Sequence, residues 1–260
     1  MTARILITGA GGGVGTLMRS RLAADGRALR LLDIAELPAA ADGENVELVQ
    51  ASVTDMAAME AAMKDVDAVI HLGGHSLEEA WEKILSVNID GTHTVLEAAR
   101  RAGVRRVVLA SSNHAVGYVE RVNGEAGDYA FPRPDTYYGV SKVALEALGS
   151  LYADRYGMDI IAVRIGSCFE KPRDVRMLST WMSPDDGARL FEAFLSVASP
   201  GFRIVWGVSD NKRGWFSLEE ARALGYEPQD DSETYAADVL SQHGGDLDPS
   251  SYAAKYVGGA

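Results

Sequence analysis

The chain has 260 residues, of which 47% are hydrophobic and 24% charged, a composition typical of a globular protein with one large domain. Its formal net charge of −12 argues against nucleic acid or an anionic membrane as the main partner. No apolar stretch approaches the roughly 20 residues needed to span a bilayer, and the first residues lack the charged and apolar regions of a signal peptide.

Short β-branched runs alternate with helical patterns along most of the chain. The predicted strands are Arg4–Thr8, Ala28–Asp33, Val46–Gln50, Ala68–Leu72, Arg106–Ala110, Ile160–Ile165 and Arg203–Trp206. The predicted helices are Val14–Asp25, Asp55–Lys64, Glu78–Ala102, Thr136–Tyr156 and Pro184–Val197. Strands separated by helices of this length predict an α/β fold with a doubly wound, parallel sheet of the Rossmann type.

Local signals mark two helix ends, and the regular alternation weakens after Gly166. Ser183 before Pro184 is a helix N-cap signal, and Gly103 after two arginines indicates a helix C-terminus. We expect residues 1–166 to form a cofactor-binding core. Residues 167–260 are expected to cover the substrate, as a smaller portion of the same compact domain.

A glycine-rich stretch, TGAGGGVG, lies between the first predicted strand and the first predicted helix. In its G-x-x-G-x-x-G spacing one glycine makes a tight turn, one lets the backbone approach a pyrophosphate, and one allows close helix–strand packing. The free N–H groups at the start of the helix then face the phosphates. The predicted cofactor-binding residues of this loop are Gly9, Gly12, Gly13, Val14 and Gly15.

Asp33 ends the second predicted strand, 18 residues after the last glycine of the loop (33 − 15). A carboxylate at this position accepts hydrogen bonds from the ribose 2′-OH and repels a 2′-phosphate. The sequence therefore favours NAD over NADP as the cofactor.

The stretch from Tyr138 to Lys142, YGVSK, is a Y-x-x-x-K motif within a predicted helix. Positions i and i+4 share a helix face, so the phenol and the ammonium point the same way. A nearby Lys⁺ favours the phenolate, which predicts a lowered pKa for the Tyr138 phenol and a role as base. Ser112 lies where the fifth predicted strand ends, at the sheet edge where ligands bind.

These motifs, together with Asn88 in SVNIDGT, resemble the extended branch of the short-chain dehydrogenase/reductase superfamily, from the first strand to about Gly166. The resemblance implies that Tyr138 is the catalytic base and that Lys142 also holds the nicotinamide ribose. It further implies that Ser112 positions the reacting hydroxyl and that Asn88 holds a water relay. The other implied cofactor contacts are Ser52, Val53, Leu72 and Gly73. The chain departs from the branch at Ser52-Val53, where Asp-Leu or Asp-Ile is usual for binding the adenine.

Later segments are similar to the uronate dehydrogenase family within this superfamily. The segments are HLGGHS, ASSNHAVGY, VRIGSC, RMLSTWMSPDD and IVWGVSDNKRGW. The resemblance implies NAD-dependent oxidation of the anomeric C1 of a hexuronic acid, galacturonate or glucuronate, to the aldarolactone. The implied substrate-binding residues are Ser76, Ser112, Asn113, His114, Tyr138, Ser167 and Arg176. Only 94 residues follow Gly166 (260 − 166), which also favours a small, free substrate over a nucleotide sugar.

Arg176 gives a physical reason for a substrate that carries a carboxylate. Its planar guanidinium binds carboxylates through two hydrogen bonds, and it supplies a local cation in an acidic protein. Two alternatives stay open: an epimerase or aldose dehydrogenase for a neutral sugar, and an NAD(P)-sensing regulator without turnover. A neutral sugar gives a buried guanidinium no partner, and a sensor leaves the complete set of Ser, Asn, Tyr and Lys unexplained.

The remaining expectations concern metal, location and assembly. The His, Asp and Glu residues show no metal-ligand spacing, so no metal is expected. The single cysteine, Cys168, fits a reducing cytoplasm and is read as a packing residue. By the same resemblance, a homo-oligomer is expected to form through the two long predicted helices, Glu78–Ala102 and Thr136–Tyr156.

Overall fold

A computed structural model describes residues 3–23, 26–121 and 127–259 of the chain. The strands within these residues are β1 (Ala3–Thr8), β2 (Arg27–Asp33), β3 (Val46–Gln50), β4 (Ala68–His71), β5 (Arg106–Ser112), β6 (Asp159–Ile165), β7 (Ser167–Cys168), β8 (Trp181–Met182) and β9 (Phe202–Gly207). Seven of them form one parallel sheet in the order β3-β2-β1-β4-β5-β6-β9. Strands β7 and β8 pair separately. The predicted parallel sheet is therefore confirmed, and each of its seven strands was predicted to within two residues at either end.

The helices lie between the strands, as the alternation predicted. They are α1 (Gly13–Arg21), α2 (Met56–Ala62), α3 (Trp81–Lys83), α4 (Gly91–Ala102), α5 (Tyr137–Tyr156), α6 (Met177–Thr180), α7 (Pro184–Ser196), α8 (Glu219–Ala223), α9 (Ala236–His243) and α10 (Tyr252–Lys255). A π-helical segment, Ile84–Asp90, joins α3 to α4. The helix predicted from Glu78 therefore begins at Trp81 and changes its hydrogen-bond pattern midway. Helix α1 ends at Arg21, and the predicted end at Asp25 lies outside the described residues.

Three helix ends follow from their sequence signals. The Ser183 side chain accepts a hydrogen bond from the Asp186 N–H at 2.9 Å, and Thr136 caps α5 in the same way through the Gly139 N–H at 2.8 Å. Gly103 ends α4 with a φ of +76°, a left-handed conformation that glycine adopts without strain. The caps predicted at Ser183 and Gly103 are confirmed.

The sheet is buried on both faces, because neighbouring side chains of a strand point to opposite sides. In β1, Ile5 and Ile7 face a core layer shared with helices α1 and α7, whereas Leu6 faces a layer shared with α2, α4 and α5. The carboxyl ends of the parallel strands meet at one edge of the sheet. The order reverses between β1 and β4, and ligands of such sheets bind at this reversal.

Candidate active site

The glycine loop follows β1 and presses against the end of β4. Gly9 has a φ of +70°, and a Cβ at this position would lie 2.6 Å from the backbone N of Gly73. A Cβ on Gly15 would collide with the backbone of Gly9 and Ala10. No larger residue fits at Gly9 or Gly15, so the tight turn and the close helix packing predicted for them are present.

The glycine loop, residues 9–13, and the first turn of α1 form a cradle whose N–H groups could hold the phosphates of a cofactor. Gly12 is the N-cap residue of α1 and provides no side-chain cap, so the first N–H groups of the helix stay available to phosphates. A Cβ on Gly13 would meet no atom within 4 Å, so space is open beside the loop. The Asp33 carboxylate lies next to it and accepts hydrogen bonds from the N–H groups of Gly11 (2.8 Å) and Ala35 (2.9 Å). These contacts fix the carboxylate at the end of β2, where a ribose binds in this fold.

Ser52 and Val53 lie at the end of β3 and have different surroundings. The Val53 side chain is buried and packs against Gly73 and Gly91. A Cβ on either glycine would lie 2.9 Å from a Val53 methyl group. The Ser52 hydroxyl is half-exposed and hydrogen-bonds to the Thr54 hydroxyl at 2.8 Å. Val53 thus packs between Gly73 and Gly91, and Ser52 stabilises the turn after β3.

The predicted catalytic residues Ser112, Tyr138 and Lys142 lie near one another, at the carboxyl end of β5 and the start of α5. Ser112 is the last residue of β5, and Tyr138 lies in the first turn of α5, with Lys142 one turn later. The Lys142 ammonium donates a hydrogen bond to the Ala110 carbonyl at 2.7 Å and lies 5.3 Å from the centre of the Tyr138 ring. All three side chains are buried. The motif therefore places the phenol and the ammonium on one helix face, as predicted.

The predicted fall in the pKa of Tyr138 is wrong for the protein by itself. Burial raises the pKa of the Tyr138 phenol, and the nearby Ser112 hydroxyl only opposes this rise. Burial also lowers the pKa of Lys142 to about 8, against the opposing charge of Glu146. Removal from water disfavours the charged form of each group, and this effect outweighs the effect expected from the spacing alone.

Asn88 lies in the π-helical segment, and its side-chain oxygen and nitrogen both form hydrogen bonds. Its side-chain oxygen accepts the His75 N–H at 2.8 Å, and its nitrogen donates to the His75 carbonyl (3.0 Å) and the Ser141 hydroxyl (3.1 Å). Asn88 therefore ties the loop after β4 to α5, three residues from Tyr138. The π-helical turn is the local feature that directs this side chain inward, and such turns are frequent at functional sites.

A buried histidine links the cofactor cradle to the segment that holds Asn88. His71 Nδ1 lies 2.7 Å from the Thr8 hydroxyl, and Nε2 lies 3.2 Å from the Thr92 hydroxyl. Because Thr92 donates its only hydroxyl proton to the Asn88 carbonyl at 2.6 Å, it must accept from His71 Nε2–H. Burial lowers the pKa of His71 to about 3, with a further contribution from the Lys142 charge. His71 is thus a neutral packed residue.

Arg176 and Asn113 meet at the last described residues of the chain. Asn113 donates from Nδ2 to the carbonyls of Val257 and Gly258, both at 3.0 Å. Arg176 donates from Nη2 to the Val257 carbonyl at 2.5 Å, and its buried Nε has no hydrogen-bond partner among the residues described. Burial lowers the pKa of Arg176 to about 10. We find no carboxylate within salt-bridge distance of Arg176 in residues 3–23, 26–121 and 127–259.

The other predicted substrate residues are spread around this region. His114 lies two residues after Ser112, and its ring meets the Tyr138 ring edge-on at 5.7 Å. Ser167 is buried in β7 with its hydroxyl 3.1 Å from that of Thr180, and Ser76 is exposed in the loop after β4. Cys168 is buried beside Ser167, and burial raises the pKa of its thiol to about 12, so it is a poor nucleophile.

Comparison with known proteins decides the family. The family model described as "NAD dependent epimerase/dehydratase family" matches residues 5–215. The chain belongs to this family. The fold and the NAD-dependent class of enzyme expected from the sequence are thereby confirmed.

Uronate dehydrogenases are among the most similar members of the epimerase/dehydratase family. The uronate dehydrogenase of Pseudomonas putida is 44% identical over 99% of this chain and 94% of its own length. The structure of a mutant uronate dehydrogenase from Agrobacterium tumefaciens, complexed with NAD, has a TM-score of 0.92 at 40% identity and covers 99% of this chain and 96% of that one. The resemblance to uronate dehydrogenases inferred from the sequence is confirmed.

A third relative shows that substrates vary within the epimerase/dehydratase family at this level of identity. The NAD-dependent glucose-6-phosphate dehydrogenase of Haloferax volcanii is 40% identical over 89% of this chain and 95% of its own length. Its named substrate carries a phosphate rather than a carboxylate. The identity of the anion is therefore a separate question from the class of reaction.

Two acidic residues near the reacting groups were missed by the sequence reasoning. The Glu78 carboxylate accepts the N–H groups of Tyr137 (3.1 Å) and Tyr138 (2.8 Å) and so caps the start of α5 from a loop about 60 residues earlier. The Asp135 carboxylate is buried against His114. Neither residue belongs to a motif, and only Asp135, directly before the predicted start of a helix at Thr136, has a position that could have drawn notice.

The described part of the chain holds neither a cluster of metal ligands nor a helix suited to a membrane. No group of three or more His, Cys, Asp or Glu side chains there is arranged to hold a metal ion. None of the helices in that part is both long and apolar enough to cross a membrane.

Proposed function

We propose that the chain oxidises the anomeric C1 of a free hexuronic acid to the aldarolactone, using NAD. The observation that carries this proposal is Arg176. A buried guanidinium that lacks a carboxylate partner in the described residues is costly unless a ligand satisfies its remaining N–H groups. A carboxylate matches this fork, because it accepts two parallel N–H bonds.

The residues at the ends of β5 and α5 would handle the proton and the oxygen. The Tyr138 phenolate takes the proton of the anomeric hydroxyl, and Ser112 holds the oxygen of that hydroxyl. NAD⁺, when bound, accepts the hydride that leaves C1. C1 carries both the ring oxygen and the anomeric hydroxyl. When the bond from C1 to the hydroxyl oxygen becomes a carbonyl, the ring ester that results is a lactone. Lys142 holds the ribose and, through its charge, favours the phenolate, and Asn88 holds the water relay beside it.

The two parts of the chain have different roles, one in binding the cofactor and the other in covering the substrate. Gly9, Gly12, Gly13, Val14 and Gly15 bind the pyrophosphate, Asp33 the ribose, and Ser52, Val53, Leu72 and Gly73 complete the cofactor site. Residues 1–166 form this core, and residues 167–260 cover the substrate. Ser76, Asn113, His114 and Ser167 bind the sugar together with Arg176.

The proposal also places the protein in the cytoplasm, as a homo-oligomer. An apolar surface on the outer faces of α3, the π-helical segment and α5 supports assembly. It consists of Trp81, Leu85, Tyr137, Val140 and Leu151, each between 37% and 53% exposed. Because assembly would remove these apolar side chains from water, we expect sedimentation to give an oligomer, and a monomeric profile would reject this part of the proposal.

The test is NADH formation by the purified protein with galacturonate, galactose or glucose 6-phosphate. We expect turnover of the uronate with little turnover of the neutral sugar. In Arg176→Ala, kcat/KM for the uronate should fall at least tenfold relative to the wild type. The low turnover of galactose should be the same in the variant and the wild type. Arg189→Ala, which removes a guanidinium bound to Asp186 and Asp230 on α7 and its neighbouring loop, is the matched control.

The outcomes separate the candidate functions. Preference for glucose 6-phosphate would keep the reaction and change the anion. Equal use of galactose would remove Arg176 as the specificity residue and favour an aldose dehydrogenase. If NAD binds but no sugar is turned over, an epimerase or a regulator that senses NAD becomes the better interpretation.

A further inference from the structure

Asp135 and His114 form a buried pair beside the reacting groups. The Asp135 side chain is 1% exposed, and its two oxygens lie 2.9 and 3.1 Å from His114 Nδ1. The Thr136 hydroxyl also donates to Asp135 at 3.4 Å. The carboxylate thus sits directly before the cap of α5, with the imidazole as its closest polar partner among the residues described.

His114 lies between the two residues that handle the reacting hydroxyl. It follows Ser112 by two positions, and its backbone N–H donates a hydrogen bond to the Ser112 hydroxyl at 3.3 Å. Its ring meets the Tyr138 ring at 5.7 Å and 71°. A Cβ on Gly139 would collide with the His114 carbonyl, so α5 is packed directly against this residue. The orientation of His114 is therefore coupled to the position of both Ser112 and Tyr138.

The pair fixes which ring nitrogen is left for a ligand. An ionised carboxylate only accepts hydrogen bonds, so the proton shared with Asp135 must be on Nδ1 of His114. Nε2 makes no hydrogen bond to any residue in the described ranges. The histidine side chain is 24% exposed, whereas the carboxylate is sealed off. Nε2 is thus the free polar atom of the pair.

We propose that Asp135 is a positioning residue for the sugar: it holds His114 so that Nε2 hydrogen-bonds to a ring hydroxyl of the substrate. This inference rests on the proposed function and deepens it. Asp135 acts through His114 and does not itself touch the sugar. The same logic orients histidines that bind metals or take part in catalytic triads, where a carboxylate fixes the opposite nitrogen.

A purely structural role for Asp135 is the alternative that the experiment must separate. A Cβ on Gly117 or on Gly258 would collide with the Asp135 carboxylate, so the residue also fills space between two segments. Loss of this packing lowers stability whatever His114 does. The readout must therefore be the coupling between Asp135 and His114, not the activity of one variant.

The experiment is a double-mutant cycle on the full chain with Asp135→Ala, His114→Ala and the double variant. The readouts are kcat, KM for galacturonate, KM for NAD and Tm. Each single variant should raise KM for galacturonate about tenfold with KM for NAD unchanged, and the double variant should be no worse than His114→Ala. Asp135→Asn, which keeps an oxygen acceptor for Nδ1–H, should recover most of the KM effect.

A second buried carboxylate serves as the control. Asp159 begins β6 at the opposite end of the sheet, is 13% exposed at its side chain, and accepts the Gly201 N–H at 3.2 Å. Asp159→Ala should lower Tm without changing KM for galacturonate. Additive KM effects in the cycle, or effects on Tm alone, would overturn the proposal for Asp135.

Failure of the proposed function would be seen separately, in the wild type. If the wild type prefers galactose or glucose 6-phosphate, the cycle is measured with that sugar. The ring hydroxyls are still present, so coupling between Asp135 and His114 is still expected. Absence of coupling then rejects the role of Asp135, whichever substrate the wild type prefers.

Discussion

Arg176 donates a hydrogen bond from Nη2 to the carbonyl oxygen of Val257 at 2.5 Å, across 81 positions of the sequence. The same carbonyl accepts from Asn113. The C-terminal residues thus hold in place two side chains that we assign to the sugar. The Gly258 N–H in turn donates to the Gly117 carbonyl at 2.9 Å, which anchors this segment on the loop that follows β5.

Gly258→Ala tests whether this anchoring matters for substrate binding. A Cβ at this position would collide with the Asp135 carboxylate and lie 2.8 Å from Gly117 Cα, so the segment must move away. Arg176 and Asn113 then lose fixed acceptors, and we expect KM for galacturonate to rise about tenfold. Gly127→Ala, where a Cβ meets no atom within 4 Å, is the matched control. Equal KM values for the two variants would contradict the expectation.

Asp33→Asn tests the choice of cofactor. The substitution removes the charge that repels a 2′-phosphate but keeps an oxygen for the Gly11 N–H. We expect kcat/KM for NADP to rise and that for NAD to fall, each by about tenfold. Asp33→Ala also removes the acceptor that holds the glycine loop, so it should lose more activity with both cofactors. Unchanged selectivity in Asp33→Asn would show that Asp33 does not meet the ribose.

Tyr138→Phe tests the base. Without the phenolic oxygen the proposed base is lost, and we expect kcat to fall by a factor of about 10² to 10⁴ with NAD binding retained. Tyr137→Phe is a matched control, because Tyr137 is the preceding residue, 53% exposed, and packs against Trp81. Since burial raises the pKa of Tyr138, the wild-type rate should increase with pH on the alkaline side of neutrality. A rate independent of both the hydroxyl and pH would exclude Tyr138 as the base.

The sequence contained most of the fold because the fold depends on local and periodic signals. The seven strands of the sheet, the cap at Ser183 and the stop at Gly103 each follow from a few neighbouring residues. The strands β7 and β8 have only two residues each and carry no period to detect. The π-helical turn around Asn88 likewise has no sequence pattern of its own.

The candidate site was predictable only in part, because some of its contacts join distant positions. The glycine loop and Tyr138–Lys142 are short motifs, so their placement could be foreseen. The contact of Asn113 with Val257 spans 144 positions, and that of Glu78 with Tyr138 spans 60, so neither has a local signal. The rise in the pKa of Tyr138 depends on burial by surrounding elements, which helical spacing does not report.

His71→Asn tests the neutral buried histidine through the pH dependence of stability. The folded protein binds a proton at His71 only near pH 3, whereas the unfolded chain binds one near 6.5. Between these values the unfolded state holds more protons, so wild-type stability falls on acidification, by up to about 1.4 kcal/mol per pH unit from this residue. The variant lacks this contribution, and the difference in free energy of unfolding between the two proteins should therefore narrow from pH 7 to pH 5. His93→Asn, at an exposed position of α4, is the matched control for the loss of an imidazole. Chemical denaturation at several pH values measures the free energies of unfolding, and a constant difference for His71→Asn would mean that burial does not lower the pKa of His71.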